Sequence, residues 1–158
     1  MTDSDFSLSL RLGTGYAQEA TFDDRSQPSM VIDELPPVGA GDGPNPARVL
    51  GSAVGACLAG SLLFCLRKGN VDVVALTTRV RGALGRNERG RVRVTDFHVV
   101  LELVVPGDQH ARVQRCLDVF EDYCIVTASI RPAIPVEVLV DLKAPPADAT
   151  AEFLRGSG

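Results

Sequence analysis

The first patterned stretch of the chain alternates. Phe6 to Leu12 (Phe-Ser-Leu-Ser-Leu-Arg-Leu) places an apolar residue at every second position. In an extended backbone those side chains share one face, so the stretch predicts a strand with one buried side. Gly13-Thr-Gly15 turns the chain, Tyr16 to Phe22 predicts a partner strand, and Met30 to Ile32 a short third. Pro36-Pro37 and the run Gly39-Ala-Gly-Asp-Gly43-Pro44 have neither period and predict a loop.

Asn45-Pro46 then marks a helix start: Asn can accept from the first free amides, and Pro at the first helical position lacks only a hydrogen bond that no residue there makes. The helix is predicted to run to about Lys68. Arg67 and Lys68 stand at its carbonyl end, where cations are favoured, and Gly69 is the stop. Apolar residues surround it on every side, so it is expected to be enclosed by other elements. Gly51, Gly55 and Gly60 each cost roughly 1 kcal/mol of helix propensity relative to Ala, which a helix tolerates where a neighbouring backbone passes close by.

Val71 to Leu84 and Arg89 to Val105 read as two long strands joined through Gly85 to Gly90. Pro106-Gly107-Asp108 ends the pair and opens a second helix, in which Val113, Cys116, Leu117, Phe120 and Cys124 follow helical spacing. Ile134 to Leu142 supplies a last strand, and the tail from Ala144 to Gly158 is expected to be loose. No repeat and no second domain is apparent, which predicts a single domain with an ordered core over about 6–142. Strands, helix, hairpin, helix, strand is an α+β order.

Composition narrows the function classes. With 158 residues, 45% of them hydrophobic, the chain can bury a real core; at 5% aromatic and no Trp, that core is aliphatic. A net charge of −4 gives no general attraction to nucleic acid or anionic membranes. Met1-Thr-Asp-Ser-Asp5 lacks the basic-then-apolar pattern of a signal peptide, so a cytoplasmic location is expected. Val49 to Leu66 carries no charge and approaches the length of a membrane span, but it is rich in Gly, Ala and Ser and flanked by alternating segments; it reads as a core helix, not a membrane element.

Four cysteines are the main candidates for chemistry. In a reducing cytosol they are expected to be reactive, metal-binding or simply buried rather than structurally paired. Cys57 and Cys65 lie on one helix, where eight residues turn the chain by about 80° net and advance it about 12 Å. A disulfide needs Cα atoms within about 7 Å, so these two cannot join; the same holds for Cys116 and Cys124 if the second helix is continuous. Any intrachain disulfide therefore joins the first helix to the second region, by one of four cross-pairs that spacing leaves open. Reactivity also requires a nearby cation or helix N-terminus. Cys57 is too far from Asn45 for the end of the helix dipole to act, and Arg48 faces the opposite side. Arg11, Arg25, Arg131 or a partner subunit remain as sources of positive charge.

The run Gly43-Pro-Asn-Pro-Ala-Arg-Val-Leu-Gly-Ser-Ala-Val-Gly-Ala-Cys57 resembles the segment that opens the central helix of OsmC/Ohr (organic hydroperoxide resistance) proteins, and Cys124-Ile-Val-Thr-Ala-Ser-Ile130 resembles their second-cysteine motif. The order of elements is similar over about Phe6 to Leu142. The resemblance implies an intertwined homodimer, with antiparallel sheets wrapped around buried central helices. It also implies a thiol-dependent peroxidase that reduces organic hydroperoxides with a dithiol reductant and no bound cofactor or metal. Carried over, Cys57 is the nucleophile that becomes a sulfenic acid, and Cys124 the resolving thiol that forms a disulfide with it. The chain departs from the pattern in three ways: Ala47 stands where characterised reductases carry Glu, the Gly13-Thr-Gly-Tyr-Ala-Gln18 region lacks the arginine those enzymes hold near the reactive thiol, and Ile125 replaces the usual Pro. The loss of Glu at Ala47 motivates a second expectation, a non-catalytic OsmC-like dimer binding a small hydrophobic ligand or partner.

Other signals add little. Arg79, Arg81, Arg86, Arg89, Arg91 and Arg93 alternate with apolar positions, as on a solvated strand face, and without interleaved aromatics they do not suggest nucleic-acid binding. His98 and His110 have no Ser or Asp at a diagnostic spacing and no metal-ligand pattern with the cysteines. Gly39 to Gly43 lacks the Lys-Ser/Thr of a phosphate loop.

Overall fold

The computed structural model describes residues 5–23 and 26–145. Arg25 and most of the predicted loose tail, from Pro146 on, lie outside the described residues. The chain divides into two compact units, Met1–Leu50 and Gly51–Gly158; each is taken by itself.

In the first unit, β1 (Leu8–Leu12), β2 (Gln18–Phe22) and β3 (Met30–Ile32) form an antiparallel sheet in that order. Leu8 lies opposite Phe22, and Gln18 opposite both Leu12 and Ile32. Arg11 pairs with Glu19 at 2.7 Å and Ser9 with Thr21, so one face of β1 is polar as its alternation predicts. The opposite face departs from expectation: Leu8, Leu10 and Leu12 are 48%, 51% and 69% exposed. The alternation is real, but no described residue of this unit covers that face.

The loop after β3 is organised by Asp33. Its carboxylate, 2% exposed, accepts from the backbone N–H groups of Glu34, Ala40, Gly41 and Asp42. Burial raises the Asp33 pKa, but the four amide donors outweigh it and hold the carboxyl below its ordinary value. Side chains are excluded from this turn, since a Cβ at Gly39 would stand 2.3 Å from the Glu34 carbonyl oxygen and one at Gly43 2.1 Å from that of Val31.

The loop delivers the chain to α1 (Pro46–Lys68), whose bounds match the predicted ones. The Asn45 side-chain oxygen accepts from the Arg48 N–H at 3.1 Å, the expected cap. At the far end the left-handed residue is Asn70 (φ 50°) rather than Gly69, and the Val71 N–H reaches the Leu66 carbonyl at 2.9 Å. Val71 and Leu66, both buried, close that motif with an apolar contact position on each side.

In the second unit, β4 (Ala75–Arg86) and β5 (Val92–Val104) pair antiparallel, with Val80 opposite Val99 and a register shift at Ala83/Leu84. The turn falls at Asn87 to Arg91, where the Asn87 side chain accepts from the Arg89 and Arg91 N–H groups and Gly90 takes φ 71°. β6 (Val136–Lys143) adds beside β5 in parallel, Val99 opposite Val138, so this sheet is mixed and not antiparallel as expected. The long crossover through the helical segment brings the chain back to start β6 at the same end as β5.

That crossover corrects the second helix. Instead of one helix through Cys124, a short 3₁₀ turn leads into α2 (His110–Leu117), a second 3₁₀ turn covers Phe120–Tyr123, and α3 runs Ile125–Ile130. Val113, Cys116, Phe120, Cys124 and Thr127 are all buried, so the spacing of three and four survives the breaks. No Gly or Pro marks the interruption.

The core of this unit gathers Val54, Leu58, Leu62 and Leu66 of α1, Val99, Leu101 and Leu103 of β5, and Val113 and Phe120 of the crossover. Each such side chain contributes roughly 1.5–3 kcal/mol on burial. The close approach at the α1 glycines is to side chains, not to a backbone: a Cβ on Gly55 would lie 2.6 Å from Val80 Cγ2, and one on Gly51 3.3 Å from the Phe97 ring. α1 is long and apolar enough to cross a membrane, but its Gly51-to-Leu66 face is buried in the fold. The face expected to be covered as well, with Ala53, Ala56, Gly60 and Phe64, is exposed in the single chain.

Candidate active site

Two of the four cysteines meet as free thiols. Cys57 sits on α1 between the fully buried Val54 and Leu58, so the core fixes its orientation, and it remains half-buried. Cys124 precedes the first turn of α3 in an extended conformation and is completely buried. Its thiol donates to Thr127 Oγ1 at 3.0 Å, and its side chain lies near enough to Cys57 to raise the Cys57 pKa.

The backbone N–H groups of Ile125 and Val126 lie in the first turn of α3, where no helical carbonyl is available to them. Both lower the Cys57 pKa. The electrostatic balance at that sulfur is therefore explicit. Burial raises the Cys57 pKa and the Cys124 thiol raises it further; the two amides lower it; the net shift is upward. No guanidinium or ammonium group of the described residues enters this balance. Arg131 is engaged by Glu121 and the Val136 carbonyl, and Arg11 by Glu19. Arg25, the remaining cation expected from the same chain, lies outside the described residues. Ala47, in the first turn of α1, supplies no carboxylate.

Cys65 and Cys116 are joined by a disulfide with Cα atoms 5.6 Å apart. It is one of the four cross-pairs that helix geometry allowed, and it overturns the expectation that all four thiols would stand free. The pairing is antiparallel: Cys57 meets Cys124 and Cys65 meets Cys116, because α1 and the crossover segment run in opposite directions.

The remaining candidates do not assemble into a second chemistry. His98 bridges Asp96 (3.2 Å) and Glu137 (2.9 Å) on the outer face of β5 and β6. Arg79 pairs with Glu102 at 3.1 Å, while Arg86, Arg89, Arg91 and Arg93 surround an open hollow at the hairpin tip with Asn87 and Glu88. No group of three or more His, Cys, Asp or Glu side chains among the described residues could hold a metal ion. Sequence reasoning missed the Ile125 and Val126 amides and Thr127, since backbone donors and the start of α3 carry no residue-type signature.

The chain belongs to the OsmC-like protein family, whose sequence profile matches residues 39–139, more than half of its length. Among solved structures it is similar to an OsmC-like protein of Mycoplasma pneumoniae (TM-score 0.75, 17% identity, covering 89% of this chain and 99% of that one). It is also similar to an organic hydroperoxide resistance protein of Elizabethkingia anophelis crystallised with thiocyanate (TM-score 0.66, 17% identity, 90% and 100% covered). A third is the organic hydroperoxide resistance protein OhrB of Bacillus subtilis (TM-score 0.59, 19% identity, 89% and 98% covered). At these identities the likeness establishes the fold. No curated protein matches the sequence.

Proposed function

We propose that the chain is a thiol-dependent peroxidase acting on organic hydroperoxides, with Cys57 as nucleophile and Cys124 as resolving thiol. The observation that carries this reading is the contact between the two free thiols, with two backbone amides directed at Cys57. The Cys57 thiolate attacks the terminal peroxide oxygen, the O–O bond breaks, and the alkoxide leaves as an alcohol after taking up a proton; Cys57 is then a sulfenic acid. Cys124 attacks that sulfur, expels water and closes a disulfide. A dithiol reductant reopens it by two exchange steps and supplies the two electrons and two protons.

The raised Cys57 pKa means that none of the described residues of its own chain activates it. We assign the missing cation to a second copy, in a homodimer. The exposed apolar faces support such a dimer: Phe6, Leu8, Leu10 and Leu12 along β1, and Phe64 on α1. The family profile runs from the end of the first compact unit through most of the second, which supports one OsmC-like domain over about 6–142. A cytoplasmic location, with the reductant close by, fits this chemistry.

The test is one equivalent of cumene or fatty-acid hydroperoxide followed by peptide mapping. Loss of both free thiols with a linked Cys57–Cys124 peptide is expected; two intact thiols after treatment would sink the peroxidase reading. A second reading, a non-catalytic OsmC-like dimer binding a small hydrophobic ligand, is favoured by the upward shift at Cys57 together with Ala47. It requires a Cys57 alkylation midpoint at or above the ordinary thiol value of ~8.5 in the assembled protein; a midpoint well below neutral rejects it.

A further inference from the structure

The two cysteine pairs are rungs of one ladder between α1 and the crossover. Cys65 lies two turns beyond Cys57 on α1, about 12 Å along the axis, and Cys116 precedes Cys124 on the opposing segment. One rung is bonded and the other is open. The segment between Cys116 and Cys124 is short and irregular: α2 ends at Leu117, a 3₁₀ turn follows, and Cys124 comes immediately after it. Whatever fixes Cys116 therefore limits how far Cys124 can move.

We infer that Cys65–Cys116 is a second, separate thiol–disulfide site, a reversible clamp that holds the crossover on α1 and keeps Cys124 seated against Cys57. This goes beyond the peroxidase reading and does not depend on it. The two rungs cannot exchange with one another, because the sulfurs of Cys57 and Cys65 are kept apart by intact helix. The clamp's reactants are an external dithiol and an external low-molecular-weight disulfide.

The chemistry balances with those two classes. Cys116 is 3% exposed, whereas Cys65 is only half-buried, so an incoming thiolate reaches Cys65. Attack there forms a mixed disulfide between reductant and Cys65 and releases the Cys116 thiolate, which takes up a proton. The second thiol of the reductant then attacks the reductant sulfur, closing its own disulfide and releasing Cys65. Two electrons and two protons pass from reductant to protein. Closure is the reverse: the Cys65 thiolate opens a small disulfide such as oxidised glutathione, and Cys116 displaces the second small thiol.

Opening the clamp removes a covalent link and leaves α2 held by Val113 and the Phe120 turn. It also leaves three hydrogen bonds near the start of α2: the Asp72 N–H to Gln109 Oε1, Gln109 Nε2 to the Asp72 carboxylate, and Arg112 to the Asn70 carbonyl. Local opening of residues 110–130 then becomes easier, and Cys124, fully buried in the clamped form, meets solvent more often.

The experiment labels the native full chain with iodoacetamide after incubation with either dithiothreitol or oxidised glutathione, each removed before labelling, and maps the sites. The glutathione-treated chain is expected to yield a linked Cys65–Cys116 peptide. The reduced chain is expected to show Cys124 labelling faster by about tenfold or more, because removing a crosslink of this loop length favours opening. Hydrogen exchange is expected to rise over residues 110–130 while β4, β5 and β6 stay protected. The Cys65→Ser/Cys116→Ser chain should behave as the reduced one; if that variant does not fold, the reduced wild-type chain carries the comparison. Cys65 and Cys116 still free after oxidised glutathione, Cys124 labelling unchanged on reduction, or exchange rising equally in the sheet would each overturn the clamp.

Discussion

Cys124 stands close enough to Cys57 to raise its pKa, and it is one of the two reasons Cys57 holds its proton more tightly than an ordinary thiol, burial being the larger. The reacting form of a thiol is its thiolate, so the neighbour placed to resolve an oxidised Cys57 also restrains the reduced one.

Replacing that neighbour should release the restraint. In Cys124→Ala, the pH midpoint of Cys57 alkylation is expected to fall relative to the parent protein; an unchanged or higher midpoint would show that Cys124 does not set it. The same shift has a stability consequence. Folded Cys57 keeps its proton to higher pH than unfolded Cys57, so its contribution is complete below the unfolded pKa and is lost as pH rises through the folded one. The parent chain should lose melting temperature on the alkaline side more steeply than Cys124→Ala.

Gly55 separates packing from helix propensity. Its missing Cβ leaves room for Val80 Cγ2 at 2.6 Å and Thr78 Cγ2 at 3.2 Å, both on branched, stiff side chains. Gly55→Ala is therefore expected to cost about 1–3 kcal/mol as overpacking. Gly51→Ala meets the Phe97 ring at 3.3 Å and gains about 1 kcal/mol of propensity, so urea unfolding should find it near neutral. Equal effects at the two positions would contradict this packing.

Asp33 governs the loop that leads into α1. Asp33→Asn keeps the size but removes the charge that four amides are arranged to meet. A clear drop in melting temperature at neutral pH is expected. The folded pKa is depressed, so the parent's advantage is present above the unfolded carboxylate pKa and disappears as pH falls through the folded one. The two melting curves should converge in acid; a constant gap down to the lowest pH would argue against the carboxylate.

The open apolar faces bear on assembly. Phe64 is 61% exposed on α1 and Leu10 51% exposed on β1. Sedimentation of the parent chain should give the mass of two copies, and Leu10→Glu or Phe64→Glu should shift it toward one. A monomeric parent chain would remove the proposed source of the activating cation.

Much of the fold was legible in the residues. α1 has its predicted bounds, because Asn45-Pro46 and Arg67-Lys68 are local signals that act within a turn of the residues carrying them. β3 matched as well, and the other strands shifted by a few residues, as happens when the last polar position of an alternating run could pair or not. The break after α2 left no mark, since a spacing of three or four serves an α-helix and a 3₁₀ turn alike.

What the sequence by itself determined is local: an aliphatic α+β chain, a capped central helix, and the separation along that helix that keeps Cys57 and Cys65 from joining. Tertiary structure alone decided which cross-pair is bonded, that β6 lies parallel to β5, and that two amides and no cation of the described residues face Cys57. The physical reason is that helix caps and alternation depend on neighbours along the chain, whereas a sulfur's partner and its pKa depend on what folding brings beside it from far away.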